Sequence, residues 1–229
     1  MTNNLYFRPE TFTFLKELAQ NNNRQWFQQH KMRYEEHVKE PAMRFIIDFG
    51  EPLRKISRHF TADPRPVGGS MFRIYRDIRF SKNKRPYKTN AGVQFRHSRG
   101  KDVHAPGYYL NIEPGNVFAA LGIWHPDPAT LGKIRDAICE NPSGWKRTAR
   151  GKSFRSKFNL AGDSLIRAPK GYDPHHPLIE DLKRKDFIGT INLSQKAVTT
   201  PEFPGEFAEL CRAGSSFMKF LCHALELPF

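Results

Sequence analysis

The stretch Tyr108–Ile123, YYLNIEPGNVFAALGI, decides the fold class. Tyr108, Leu110 and Ile112 alternate with Tyr109, Asn111 and Glu113; Pro114-Gly115 supplies a turn; Val117, Ala119, Leu121 and Ile123 then alternate again. Successive strand residues point to opposite faces, so the pattern reads as two half-buried strands joined by a tight turn. This hairpin favours an antiparallel sheet. Ala91–Arg96, with Val93 and Phe95 on one face, and Phe187–Leu193 read as further strands.

Helical periodicity surrounds these strands. Pro9 and the spacing of Phe14, Leu15 and Leu18 predict a helix from 9 to 20, stopped at Asn21-Asn22-Asn23. A second helix is expected from Arg24 to Lys39, with Phe27, His30, Tyr34 and Val38 on one stripe; His30 there reads as a hydrogen-bonded core histidine. A third starts at Pro41 and carries Phe45, Phe49, Leu53 and Ile56, and its Pro52 predicts a kink or break near Gly50. Asp127 or Pro128 opens a helix that closes before Asn141-Pro142, Pro177–Lys185 reads as a short helix, and a final helix beyond Pro204 carries Phe207, Leu210, Phe217 and Leu221. With no internal repeat, the expectation is a single α+β domain over residues 1–229. An antiparallel sheet would carry helices packed on one face, with N-terminal and C-terminal helices.

Composition narrows the class. Hydrophobic residues make up 38% of the chain and Phe occurs nineteen times, enough for a genuine core. No apolar run reaches the roughly 18–20 residues that span a bilayer, so no membrane partner is expected. The segment MTNNLYFRPETF lacks the order of a secretory signal, and Cys139, Cys211 and Cys222 offer neither an even disulfide set nor a CxxC spacing. A reducing cytoplasm follows. The +14 net charge is uneven: residues 65–104 carry +9 and residues 141–162 carry +6, leaving −1 for the rest. Two basic segments on a neutral domain attract phosphate-bearing partners, unless they are only a solvated face.

The first basic segment holds the sharpest candidate site, Met71–Asn90, MFRIYRDIRFSKNKRPYKTN. Read as a strand, it places Phe72, Ile74, Ile78 and Phe80 on one face and Arg73, Tyr75, Asp77 and Arg79 on the other; Arg76 falls among the apolar residues. A guanidinium there needs an internal partner, so Arg76 is assigned to the floor of a cleft. Arg73, Arg79 and Lys84 would hold an anion, Asp77 would orient the arginines, and Tyr87 would donate a hydrogen bond. Lys88, Tyr109 from the hairpin and Lys170 from the loop APKGYD complete the candidate ligand-binding set. Asp77 and His104 are the available proton carriers, and arginine would stabilise developing negative charge. The competing reading is a structural ion-pair network that consumes these arginines.

Arg73, Arg76, Asp77, Arg79, Phe80, Lys84 and Tyr87 together spell Arg-x-x-Arg-Asp-x-Arg-Phe-x-x-x-Lys-x-x-Tyr. On this signature, and on NNNRQWFQQHK, APGYYLNIEPG and RAPKGYDPHHP, the chain resembles the domain of unknown function 2461 family. The resemblance implies a mostly bacterial, single-domain protein and brings no assigned chemistry.

Other chemistries find little support. Asp173, His175 and His176 lack zinc-protease spacing, and Asp173 reads as a helix cap or a loop-ordering group, so no metal is expected. No phosphate loop, dinucleotide fingerprint or nucleophile elbow is present, and no cofactor is expected. Cys211 and Cys222 read as core. Two partners remain open, a small anionic ligand and a nucleic acid. The second draws on RIYRDIRF and GWKRTARGKSFRSKF, where aromatic residues interleave with basic ones. A passive structural domain is the third reading.

Overall fold

The computed structural model describes residues 5–100 and 104–229. Lys101 and Asp102 of the first basic segment lie outside them.

The N-terminal third is helical. Helix α1, Pro9–Gln20, buries Phe12, Phe14, Leu15 and Leu18. The helix expected over 24–39 is instead three pieces: α2, Arg24–Gln29; α3, Lys31–Tyr34; and a π-helical turn, Glu35–Lys39. The break falls at His30, which is half-buried, with Nδ1 donating to the Trp26 carbonyl at 2.8 Å and the imidazole stacked on the Trp26 ring. The π turn runs directly into α4, Glu40–Ile56. Pro41 has no N–H to give the His37 carbonyl four residues back, and the Thr11 hydroxyl of α1 supplies that bond at 2.6 Å. The break predicted near Gly50 does not occur, and α4 passes through Pro52. The carbonyl that Pro52 leaves without its helical partner belongs to Asp48, an exposed residue, while Phe45, Phe49 and Leu53 fix the buried stripe.

The sheet follows. Strands β1 (Ala91–Arg96), β2 (Gly107–Ile112) and β3 (Val117–Ile123) form a meander, helices α5 (Pro128–Glu140), α6 (Pro142–Ala149) and α7 (Lys152–Arg155) intervene, and β4 (Asn159–Ala161) precedes α8 (Ile179–Leu182) and β5 (Phe187–Leu193). Their order is β1-β2-β3-β5-β4, antiparallel throughout. Helices α9 (Gln195–Val198), α10 (Phe203–Ala213) and α11 (Ser215–Ala224) end the chain; the expected single C-terminal helix is divided at Gly214. The protein is therefore α+β.

Register explains the layers. Ala91, Val93 and Phe95 stand opposite Ile112, Leu110 and Tyr108, and Val117, Ala119, Leu121 and Ile123 stand opposite Leu193, Ile191, Gly189 and Phe187. This face is the core face: Phe95 meets Phe49 of α4 at 4.9 Å, and Phe49 meets Phe207 of α10 at 5.0 Å. The second basic segment is amphipathic. Trp145, Phe154 and Phe158 are buried while all six of its cations are exposed, so its rings serve packing and are not available for stacking on a nucleic acid.

The Met71–Phe80 stretch is not a strand. Phe72 N–H donates to the Gly92 carbonyl and the Ser70 carbonyl accepts from Gln94, which caps the outer edge of β1. The chain then leaves the sheet and bonds to its own return leg: Lys88 N–H to the Ile74 carbonyl at 2.7 Å, and Arg76 N–H to the Pro86 carbonyl at 2.9 Å. Alternation therefore stops at Ile74, which is buried, and Phe80 is 95% exposed.

Candidate functional site

The face of the sheet turned away from the core carries a cleft of about 590 Å³. Its floor comes from register. Gly107 pairs with Gly122 and Tyr109 with Ala120, and Ala120 in turn pairs with Thr190, so the hydrogen and methyl side chains of Gly107, Gly122 and Ala120 adjoin in the middle of the sheet. Gly122 has φ +124°, and a Cβ there would lie 2.0 Å from the Phe187 carbonyl oxygen; only glycine fits.

Aromatic walls rise around this floor. Phe72, delivered by the edge pairing to β1, lies 6.0 Å from the Tyr109 ring, and Tyr109 lies 5.7 Å from Phe118. Gly92 permits this approach, because a Cβ at that position would meet the Tyr109 hydroxyl at 2.7 Å and the Phe72 ring at 3.0 Å. At the opposite end stands Trp124. Its orientation follows from His125, which turns the chain through the left-handed region at φ 45° and donates its N–H to the buried Asp186 carboxylate at 2.7 Å.

Polar groups reach the cleft at a few points. Tyr109 donates its hydroxyl to Asn111 Oδ1 at 3.1 Å, and Asn90 donates to the same oxygen at 2.6 Å. Burial pushes the Tyr109 hydroxyl up to about 12, so it is a neutral donor. Gln94 and Thr190 line the floor's margins. Lys88 is the cation of the lining. Its Nζ sits 5.0 Å from the Phe72 ring centroid, and burial, then the nearby charge of Arg73, push its ammonium below the ordinary lysine value. Among the described residues no carboxylate pairs with Lys88 and no group accepts a hydrogen bond from its ammonium.

The structure thus brings two of the sequence-derived residues, Lys88 and Tyr109, into one cavity, and the charge of exposed Arg73 reaches Lys88. The others lie elsewhere. Asp77 and Arg79 pair with each other at 2.7 Å on the exposed loop, and that guanidinium holds the Asp77 carboxyl down to about 2. Lys84 donates to the Ile78 and Arg79 carbonyls at 3.0 and 3.4 Å. Arg76, half-buried, donates to the Arg85 carbonyl at 3.3 Å and does not line the cleft floor to which the sequence assigned it. Tyr87 is a core residue stacked on Phe27 at 4.1 Å, its backbone bracketed by the Asn22 amide. His104 stands at the Trp124 end, its Nδ1 2.9 Å from the Trp124 carbonyl and its ring stacked on the indole. Lys170 is exposed, in a loop that Tyr172 fastens to Asp136 of α5 at 2.7 Å. Asp173 orders the following turn by accepting from the His175 N–H at 2.8 Å.

Phe118, Ala120, Trp124, Ile188 and Thr190 were missed. The signal for them lay in the hairpin itself, whose outward positions Phe118, Ala120 and Gly122 are apolar or small where a solvated face would be polar.

Comparison with known proteins gives one family match. The model of the family described as "Conserved hypothetical protein (DUF2461)" matches residues 10–220, and the chain belongs to that family. No curated protein and no solved structure matches.

Proposed function

We propose that this DUF2461 member binds a small ligand carrying a phosphate or carboxylate group in the cleft on the open face of its sheet. Lys88 supplies the counter-charge and Arg73 adds a second cation at the rim, while Tyr109, whose one hydroxyl proton goes to Asn111, contributes its ring to the wall. One observation carries the reading: the half-buried Lys88 ammonium is held against an aromatic ring with no acid beside it among the described residues. Keeping a charge there is costly unless an anion completes the site. Apolar walls with a few convergent polar groups are the usual make-up of small-ligand pockets. Asp77, paired with Arg79, and His104, at the far rim, lie away from Lys88's end of the cleft, and the proposal is one of binding without an assigned proton transfer. The cytoplasm is the proposed compartment, in keeping with three unbridged cysteines; among the described residues no helix is long and apolar enough to cross a membrane.

Lys88→Met keeps the stem and removes the charge. Titration with small phosphate monoesters should show affinity falling by roughly tenfold or more, about 1.4 kcal/mol, in that variant. Equal affinity in the two proteins refutes the assignment of Lys88.

A second reading rests on Phe80, which is 95% exposed on the loop that also presents Lys82, Lys84 and Arg85, with the Arg79 guanidinium 5.8 Å from its ring centroid. A protruding ring among cations suits a single-stranded nucleic acid.

A further inference from the structure

We infer that the body of the ligand is hydrocarbon, which makes the class of ligand an anionic amphiphile, a fatty acid or an alkyl phosphate. The inference rests on the anion-binding reading above and adds what lies beyond the charged group.

Extent is the first argument. The outward residues Gln94, Tyr109, Ala120 and Thr190 stand side by side across β1, β2, β3 and β5, and Gly107, Gly122 and Ile188 belong to the next row. Three strand spacings of about 4.8 Å make this face about 14 Å wide from β1 to β5. Lys88 lies at the Phe72 end of the cleft and Trp124 at the other, with Tyr109, Phe118, Ala120 and Ile188 among the lining between them. An anion held at Lys88 therefore has apolar surface leading away from it. A headgroup that carried nothing further would leave that surface wet.

Polarity is the second argument. Most of the surface that the lining offers is apolar. Its polar side chains are largely taken up by the protein itself. Asn90 and Tyr109 both donate to Asn111 Oδ1, and the Gln94 amide lies against Gly107 and has a partner of its own. Lys88 apart, the lining leaves a ligand at most the Asn90 carbonyl oxygen, the Trp124 indole N–H and the Thr190 hydroxyl, one group on each of three separate segments. A sugar, a nucleoside or a peptide carries more donors and acceptors than that, and each one desolvated without a partner costs affinity. A hydrocarbon body brings none. It would also cover Trp124, which is 52% exposed, and half-buried Phe118 and Ile188. The volume of about 590 Å³ lies within the roughly 300–1,000 Å³ of small-ligand pockets.

The test is a titration of the whole chain with decanoate, hexanoate, 1-decanol, hexyl phosphate and ribose 5-phosphate. Binding is followed by calorimetry and by the blue shift of Trp124 emission, with Trp124→Phe as the spectral control. Each buried methylene is worth about fourfold, so decanoate should bind at least about tenfold tighter than hexanoate, and hexyl phosphate tighter than ribose 5-phosphate by a similar factor. Ala120→Asn, which sets an amide on the floor, should weaken decanoate. Trp124→Ala, which removes an exposed wall at the far end, should weaken decanoate and leave hexanoate unchanged, which keeps the test intact if Ala120→Asn fails to fold. Hexanoate binding as tightly as decanoate, or ribose 5-phosphate as tightly as hexyl phosphate, in a Lys88-dependent way, overturns the hydrocarbon body and leaves the anionic cleft standing. 1-Decanol binding as tightly as decanoate, indifferent to Lys88→Met, supports the hydrocarbon body and overturns the anion-binding reading beneath it. Absence of binding by all five probes overturns both.

Discussion

Lys88 is held between opposed demands. Burial and Arg73 disfavour its charge, and the Phe72 ring favours it; since the ammonium lies below its ordinary value of 10.5, the unfavourable side prevails. Between the folded value and 10.5 the unfolded chain binds a proton that the native state does not, so Lys88's cost is fully present at neutral pH and is relieved as pH rises through that window. Lys88→Met should therefore not lower the melting temperature of the ligand-free protein at pH 7 while it weakens anion binding. A fall of several degrees would mark Lys88 as a structural residue. Wild-type affinity for a phosphate monoester should decline on the alkaline side below 10.5, earlier than an exposed lysine would dictate. His97 shows the same sign in a lower window of pH. It is fully buried, Nε2 donating to the Pro228 carbonyl at 2.9 Å and Nδ1 accepting from the Arg99 N–H at 3.2 Å, a pairing only the neutral ring can make. Burial lowers its pKa from 6.5, so its contribution is complete above 6.5 and is lost as pH falls from there toward the lower folded value. Urea melts at pH 7 and pH 5 should show this loss in the wild type. His97→Leu should be less stable at pH 7 by about 1–3 kcal/mol and should lack that pH-dependent component.

At the scale of elements, packing decides what the basic helices are for. Phe154 of α7 rests where Gly189 of β5 leaves space: a Cβ on Gly189 would stand 2.6 Å from the Phe154 ring, which also packs on Phe217 at 4.8 Å. Gly189→Ala should overpack this contact and cost about 1–3 kcal/mol in a denaturant melt; a change within experimental error would show that α7 is loosely seated. The same contact shows how far sequence reading reaches. The hairpin was legible because Tyr108, Leu110 and Ile112, and after the turn Val117, Ala119, Leu121 and Ile123, are apolar and share one buried face, and α1 was legible from Pro9 and its Leu and Phe spacing. In GWKRTARGKSFRSKF the spacing of Trp145, Phe154 and Phe158 records burial, yet the composition alone is equally that of a stacking surface. Met71–Phe80 misled for a different reason. Its first residues pair with β1 and its later ones with their own return leg, and a period-two pattern does not tell one partner from two. The cleft was hidden because it is built from non-adjacent outward positions, among them Gln94, Ala120 and Thr190, which only the strand order β1-β2-β3-β5 brings side by side.

The whole molecule carries +14, and this field acts on every anion that approaches, so attraction alone does not distinguish a small anion in the cleft from a polynucleotide on the surface. The dependence on salt does. A ligand that meets the protein mainly through Lys88 displaces about one counter-ion, and its affinity should fall no more than about fourfold between 50 and 200 mM salt. An oligonucleotide lying along Arg79, Phe80, Lys82, Lys84 and Arg85 would neutralise several phosphates at once, and its affinity should fall by orders of magnitude over the same range. The variants separate the two surfaces, since Phe80 and Lys88 occupy different places: Phe80 stands in solvent on the loop and Lys88 lies in the lining of the cleft. Titrations of decanoate and of a short single-stranded oligonucleotide against wild type, Phe80→Ala and Lys88→Met should therefore give a shallow slope that only Lys88→Met disturbs for decanoate. If decanoate binding instead shows the steep slope and is lost in Phe80→Ala, the ligand sits on the loop, and the cleft with its unpaired lysine has been misread.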